Sequence, residues 1–166
     1  RYSDVVGIDE REQCKPCSRG RYSTSARQNT STACHPCPAG RYGEILASRR
    51  SRDCMQCPAG RARGTNPNEP TSECGLCVAG KFSAAGATNC TVCSPGKFSS
   101  GTLPTHFVRC KNCPAGKYRS APGGASPNDC VNCGVGKYST GENTARCLFC
   151  EHGKYANLPV SSKCNP

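Results

Sequence analysis

Apolar side chains are concentrated in one short motif that recurs along the chain, and the residues between its copies are polar. The motif reads Cys-x-x-Cys-x-x-Gly-[Lys/Arg]-[Tyr/Phe], as at 34–42 and 110–118. All six tyrosines and two of the four phenylalanines occupy its aromatic position, which only Ala62 breaks. The intervening stretches are rich in Gly, Ser, Thr, Asn and Pro, which favour turns. Each repeat is therefore predicted to be two short extended pieces around a turn, with strands of three to five residues and little helix.

Eight Cys-x-x-Cys pairs set the register of the repeats. Their first cysteines are separated by 20, 20, 20, 16, 20, 20, 17 and 17 residues, the last step reaching Cys164. The predicted organisation is a partial repeat at 1–13, repeats at 14–33, 34–53, 54–73, 74–89, 90–109, 110–129, 130–146 and 147–163, and the start of another at 164–166. Because both ends fall inside a repeat, we expect the sequence to be a window on a longer array.

Composition indicates what holds such repeats together. Leu, Ile, Val and Phe contribute only 19 of the 166 residues and Trp is absent, whereas there are 17 cysteines. A chain so poor in large apolar residues cannot bury enough surface to offset its chain entropy, unless covalent or metal cross-links replace the core. This composition argues against a conventional globular enzyme.

The cysteine spacing is compatible with disulfides and also with zinc ribbons. Tetrahedral zinc needs four ligands, so each site would use two repeats and impose a two-repeat alternation. Neither the spacing nor the flanking residues alternate. Disulfides are therefore favoured, and no metal or other cofactor is expected.

Spacing alone does not determine connectivity, but single-repeat symmetry favours bonding the second cysteine of each pair to the first of the next. The favoured pairs are Cys17–Cys34, Cys37–Cys54, Cys57–Cys74, Cys77–Cys90, Cys93–Cys110, Cys113–Cys130, Cys133–Cys147 and Cys150–Cys164. Cys14 is then left unpaired in this sequence. The alternative is a crossed scheme, Cys14–Cys34 with Cys17–Cys37, which requires a two-repeat unit.

The motif Cys-Pro-Ala-Gly-[Lys/Arg]-Tyr, seen at 37–42 and 113–118, resembles the ephrin-receptor-like cysteine-rich repeat. Such repeats form long arrays in extracellular proteins of animals and in surface proteins of protists and algae. The motif also resembles the first half-module of tumour necrosis factor receptors, whose modules have six cysteines rather than two. The resemblance implies a small disulfide-rich fold, mostly irregular with short β-hairpins, arranged as an elongated rod or solenoid of about eight repeats.

Net charge is +11, and nine of the 22 cations directly precede the aromatic position. They are Arg1, Arg21, Arg41, Arg61, Lys81, Lys97, Lys117, Lys137 and Lys154. These cations either attract acidic glycans or an acidic chain, or cover a ring or disulfide with their stems while their heads stay solvated. The aromatic column is interpreted as packing between disulfides rather than as nucleic-acid stacking, and Ala62 as marking a weaker repeat.

No catalytic constellation emerges, since His35, His106 and His152 are scattered and acids recur in no pattern. The candidate glycosylation sites are Asn29 and Asn89, each in an Asn-x-Ser/Thr sequon. A candidate ligand patch that breaks the repeat pattern comprises Leu103, Phe107 and Val108, with Leu148-Phe149 as a second cluster.

These features predict a non-enzymatic segment of a larger extracellular or cell-surface protein that passes through the secretory pathway. Its predicted role is that of a rod, stalk, coat or flagellar-hair filament. The alternative is a ligand-binding or adhesion ectodomain of a receptor. The expected partners are other extracellular or filament proteins, copies of the chain included, and glycans. Nucleic acid is not expected as a partner. Contact with a membrane is expected only through other parts of the parent chain.

Overall fold

The computed structural model describes residues 16–24, 34–64, 73–100 and 109–166. Within these ranges there are fourteen two-residue strands and no α-helix. The strands are β1 Arg21–Tyr22, β2 His35–Pro36, β3 Arg41–Tyr42, β4 Met55–Gln56, β5 Arg61–Ala62, β6 Gly75–Leu76, β7 Lys81–Phe82, β8 Thr91–Val92, β9 Lys97–Phe98, β10 Lys111–Asn112, β11 Lys117–Tyr118, β12 Val131–Asn132, β13 Lys137–Tyr138 and β14 Leu148–Phe149. Short 3-10 turns occur at Ser51–Asp53 and Pro127–Asp129.

Each odd-numbered strand pairs antiparallel with the strand that follows it, which makes seven separate hairpins. The first strand is the [Lys/Arg]-[Tyr/Phe] dipeptide, and the second is the dipeptide between the next two cysteines. Each hairpin thus joins one copy of the motif to the next. Together with the disulfides, this confirms the predicted fold class of a small disulfide-rich chain with short β-hairpins.

The strands are shorter than the three to five residues expected from the sequence. A glycine turn precedes each first strand, and two cysteines bracket each second strand. The residue after the aromatic no longer forms hydrogen bonds with the partner strand of its hairpin. The amide of Ser23 instead donates to Ser48 O at 3.0 Å, and the amide of Ser99 donates to Gly124 O at 2.8 Å. Those acceptors lie in the following loop, so the hairpin ladder stops after two residues.

The turn before each first strand explains the glycine of the motif. Lys117 N donates to Pro114 O at 3.1 Å, which closes a four-residue turn around Ala115 and Gly116. Gly116 has φ of +77°, as a type II turn requires at its third position. This backbone angle is strained for residues with a Cβ atom.

The chain divides into two compact units, one of residues 1–76 with 85–89 and the other of 77–84 with 90–166. The first contains hairpins β1–β2 to β5–β6, and the second contains β7–β8 to β13–β14. In both units the buried apolar residues are almost all cysteines; among the described residues only Phe98 and Ala156 join them. Disulfides therefore occupy the place that a hydrophobic core takes in larger domains.

Candidate functional site

Eight disulfides are the repeated chemical feature of the molecule, and they engage all sixteen described cysteines. Each joins the second cysteine of one pair to the first of the next, with Cα atoms 5.6 to 5.9 Å apart. The pairs are Cys17–Cys34, Cys37–Cys54, Cys57–Cys74, Cys77–Cys90, Cys93–Cys110, Cys113–Cys130, Cys133–Cys147 and Cys150–Cys164. They are the same eight pairs that single-repeat symmetry favours. Cys14 lies outside the described residues.

Backbone hydrogen bonds connect each hairpin to the next within a unit. The amides of six motif glycines donate to the carbonyl of the residue that follows the next aromatic position. The bonds, 2.7 to 2.9 Å long, are Gly20–Gly43, Gly40–Arg63, Gly80–Ser99, Gly96–Arg119, Gly116–Ser139 and Gly136–Ala156. The glycine carbonyl accepts from the next second cysteine, as in Cys113 N to Gly96 O at 2.8 Å. We call this set of bonds the glycine ladder.

The residue after the aromatic is a structural position that the sequence reasoning did not single out. It supplies the ladder acceptor and is buried at Ser23, Ser83, Ser99 and Ser139. The hydroxyl of Ser139 also donates to Lys117 O at 2.8 Å, across one repeat. The signal in the sequence was the frequent serine at this site, since a small side chain permits the close approach.

At Phe98 the aromatic of the motif packs against a disulfide, in line with the interpretation of the aromatic column from the sequence. Phe98 is only 8% exposed and clusters with Cys113 and Cys130, the disulfide of the following repeat. Tyr155, at the equivalent position in the last copy, is 52% exposed. The ring therefore stabilises the junction between successive repeats where a disulfide covers it.

The cations before the aromatic behave differently depending on whether they are arginine or lysine. In the first unit, Nη1 of Arg21, Arg41 and Arg61 donates to Cys34 O, Cys54 O and Cys74 O respectively, at 2.8 to 2.9 Å. The arginine head groups thus close their own hairpins, which neither of the two interpretations from the sequence included. Among the lysines, Lys137 Nζ lies 4.5 Å from the Phe149 ring centroid, and Lys154 pairs with Glu151 at 2.7 Å.

At Ala62, where the aromatic is missing, the next residue contacts the preceding repeat with a long buried side chain, and its bond to Arg41 O is equivalent to that of Ser139 to Lys117 O. Arg63 is 8% exposed, and its Nη1 donates to Cys37 O at 3.3 Å and to Arg41 O at 2.5 Å. Burial lowers the pKa of the Arg63 guanidinium from its ordinary value. This guanidinium ties the junction to the preceding repeat, so Ala62 does not leave its repeat without a junction contact.

The candidate residues for ligand binding and chemistry are spread over the surface. His35 and His152 are exposed, and the His35 ring lies 5.9 Å from that of Tyr22. Leu148 and Phe149 are exposed in the last hairpin, where the Phe149 side chain is 73% accessible. Asn89 is exposed beside Cys90. The remaining candidates, His106, Asn29, Leu103, Phe107 and Val108, fall outside the described residues.

A concavity of about 430 Å³ lies in the loop of the second hairpin, lined by Ile45, Ala47, Ser48, Arg49, Arg50 and Asp53. Its carboxylate is already engaged, because Asp53 Oδ2 accepts from the amides of Arg49 and Arg50 at 3.0 and 2.9 Å. Asp53 thus caps the loop. Elsewhere, the hydrogen bond from Lys154 lowers the pKa of exposed Glu151, and the same bond raises the pKa of Lys154.

These features define the class of protein: tandem two-cysteine repeats held by disulfides and a backbone ladder. Residues 6–54 and 80–130, more than half of the chain, match the family model described as "Tyrosine-protein kinase ephrin type A/B receptor-like". The chain therefore belongs to the family of ephrin-receptor-like cysteine-rich repeats, a non-catalytic type of module typical of extracellular domains. A comparison with curated proteins gave no match. In the described part of the chain, no helix is long and apolar enough to cross a membrane.

Proposed function

We propose that the chain is a non-enzymatic structural segment of a larger extracellular protein, acting as a rod, stalk, coat or filament. The observation that carries this proposal is the glycine ladder, whose bonds recur with the same partners from one repeat to the next. Each step is stabilised by its own disulfide and by its neighbour, so repeats can be added without enlarging a common core. That is the property a spacer or coat segment needs.

The distribution of buried and exposed residues supports the same function. The motif positions that repeat are mostly turned inward, whereas the dipeptides between cysteines are largely exposed and vary in sequence, as at Met55–Gln56, Thr91–Val92 and Lys111–Asn112. The exposed dipeptide thus recurs at an equivalent position in each hairpin, but its side chains differ from one hairpin to the next. Other extracellular or filament proteins, copies of this chain included, are the proposed partners at these points.

The disulfides support a site of action in an oxidising compartment, outside the cell or on its surface. Asn89 fits this route, because its side chain is exposed and Thr91, which completes the sequon, is exposed as well. We include N-glycosylation of Asn89 in the proposal. Digestion of the native protein with a peptide N-glycosidase should lower the mass of the peptide that carries Asn89, and an unmodified Asn89 would contradict this element.

Electron microscopy of the native particle, labelled with an antibody against this segment, tests the structural function. Label at regular intervals along a filament, stalk or surface coat is the expected result. Label on isolated ectodomains with no regular arrangement would contradict the proposal and favour the alternative described next.

The alternative function is a receptor or adhesion ectodomain, and exposed apolar side chains in the second unit favour it. Val135, Phe149 and Leu158 are each among the most exposed large apolar residues. Exposed apolar residues of this kind mark interaction sites when they form a patch. If a soluble extracellular protein ligand binds the chain, Phe149→Ala should abolish that binding. Val131→Ala, at an exposed residue of the preceding hairpin, should leave the binding intact.

A further inference from the structure

A long stretch of the sequence, most of it in the second unit, has no acidic side chain. No Asp or Glu occurs in residues 74–128, between Glu73 and Asp129, although the chain has 11 such residues in all. Six cations lie within this stretch: Lys81, Lys97, Arg109, Lys111, Lys117 and Arg119. Positive charge there is not compensated by acidic neighbours in sequence.

Few of these cations are engaged inside the fold. The Arg119 guanidinium donates to Asp129 O and Pro122 O at 3.1 and 3.4 Å. By contrast, no hydrogen bond or ion pair engages the amines of Lys81, Lys97 and Lys117 in the part of the chain that the structure describes. This differs from the first unit, where arginine at the same position bonds a cysteine carbonyl. The shorter lysine leaves its charge available to a partner.

The acidic residues of the second unit do not neutralise these lysines. Asp129 Oδ2 accepts from the amides of Ala125 and Ser126 at 2.7 and 3.1 Å, so its carboxylate caps a turn. Glu151 is paired with Lys154 at 2.7 Å. Glu142 is exposed and lies outside the acid-free stretch.

The glycine ladder holds these lysines in a fixed row, because each directly follows a ladder glycine. The amide of Gly80 donates to Ser99 O at 2.8 Å, and the amide of Gly96 donates to Arg119 O at 2.8 Å; each acceptor lies in the following repeat. Two consecutive hairpins also present the same cross-strand pair, Lys97 opposite Asn112 and Lys117 opposite Asn132. Both asparagines are exposed. In such a pair, the lysine ammonium can bind an anion, and the asparagine amide can form a hydrogen bond with a hydroxyl group.

We propose that this row, formed by Lys81, Lys97 and Lys117 with Asn112 and Asn132, binds an acidic polysaccharide together with exposed Lys111, which directly precedes Asn112. A polymer with regularly spaced carboxylates or sulfates matches a row of equally built cationic hairpins, and its hydroxyls match the amides. Lysine is a compact, strongly hydrated point charge, so the interaction is electrostatic and sensitive to salt. The binding surface exists whether or not the segment also serves as a stalk.

Two variants of equal charge test the proposal. K81Q/K97Q/K111Q/K117Q removes the three row lysines and Lys111, and R49Q/R52Q/R146Q/K163Q removes four exposed cations elsewhere; both lower the net charge from +11 by the same amount. Binding to immobilised heparin (sulfated), polygalacturonate (carboxylate only), poly-glutamate and neutral dextran is measured at several salt concentrations. Equal thiol counts in the variants and the parent protein verify that the disulfides have formed.

The parent chain should bind heparin or polygalacturonate, or both, more tightly than poly-glutamate, and should not bind dextran. The row variant should lose affinity at least about tenfold, against less than about threefold for the control, and its salt dependence should be shallower because fewer counterions are released on binding. Heparin binding without polygalacturonate binding identifies sulfate as the preferred group, and the reverse result identifies carboxylate. Equal losses in the two variants, absence of binding to both polysaccharides, or tighter binding to poly-glutamate would overturn the proposal.

Discussion

The backbone amide of Gly96 donates a 2.8 Å hydrogen bond to the carbonyl oxygen of Arg119, one repeat further along the chain. Gly96 has φ of +80°, and a Cβ atom there would lie 2.6 Å from Thr144 N. Gly136 makes the equivalent ladder bond with φ of +75°, but its Cβ would meet nothing within 4 Å. At Gly96, then, both the turn and the close approach of a loop two repeats further along exclude a side chain.

Gly96→Ala should therefore destabilise its repeat junction more than Gly136→Ala does. Both changes incur the left-handed backbone cost of about 1–2 kcal/mol, and only Gly96→Ala adds an overpacking cost of about 1–3 kcal/mol. Hydrogen exchange of the ladder amides measures this difference locally. Equal protection in the two variants would mean that the close approach at Gly96 is not important for the junction.

The packing of Phe98 on the Cys113–Cys130 disulfide gives a second prediction. Phe98→Ala should cost about 3–5 kcal/mol, because it removes the buried ring from this cluster. Tyr155→Ala, at the exposed equivalent position, should change stability by no more than about 0.5 kcal/mol. Limited proteolysis around residues 98–130 measures the loss, and cleavage at the parental rate in Phe98→Ala would contradict the packing role.

The arginine–carbonyl bonds can be tested by a reciprocal exchange. Arg41→Lys should lose the hydrogen bond to Cys54 O and destabilise its hairpin by about 1 kcal/mol. Lys117→Arg should gain the equivalent bond to Cys130 O and stabilise its hairpin by a similar amount. Amide exchange within each hairpin gives both values. Shifts of the same sign in both variants would show that the arginine head group does not close the hairpin.

Most of the local structure could be predicted from the sequence, because its causes lie within one repeat. The spacing of the cysteines and the motif glycine indicated the turn, the two extended pieces and the covalent link. What connects one repeat to the next could not be predicted in the same way. The ladder acceptors are carbonyl groups, as at Arg119, and a carbonyl has no side-chain signature in the sequence.

Two side-chain features were also beyond the sequence reasoning. Arginine and lysine are interchangeable in the motif at the position before the aromatic, yet only the longer arginine fork reaches the cysteine carbonyl, as Arg41 does at 2.9 Å. The motif alone predicts a weak point at Ala62, whereas the compensating contact comes from the next residue. The Arg63 guanidinium makes that contact with backbone carbonyl groups of the preceding repeat, and the linear motif does not reveal which residues these are.

Stability should vary little between pH 5 and pH 9, because the described disulfides do not titrate and few carboxylates are engaged. Glu151 has a lowered pKa, so its contribution is present above its ordinary pKa and is lost as the pH falls through the folded value. Lys154 has a raised pKa, so its contribution is lost only as the pH rises through that value. Both groups are exposed, and their pair is screened by solvent. A melting temperature that changes by more than about 5 °C within this window would contradict the account.

Disulfide mapping of the native protein tests the central claim, that each repeat is cross-linked only to the next copy of the motif. Trypsin can cleave after Lys111, which lies between Cys110 and Cys113 and is exposed. The account predicts that a non-reduced digest joins Cys110 to the peptide at 82–97 and joins the peptide at 112–117, which holds Cys113, to the peptide at 120–137. Linkage of both Cys110 and Cys113 to one and the same peptide, or recovery of either as a free thiol, would contradict it.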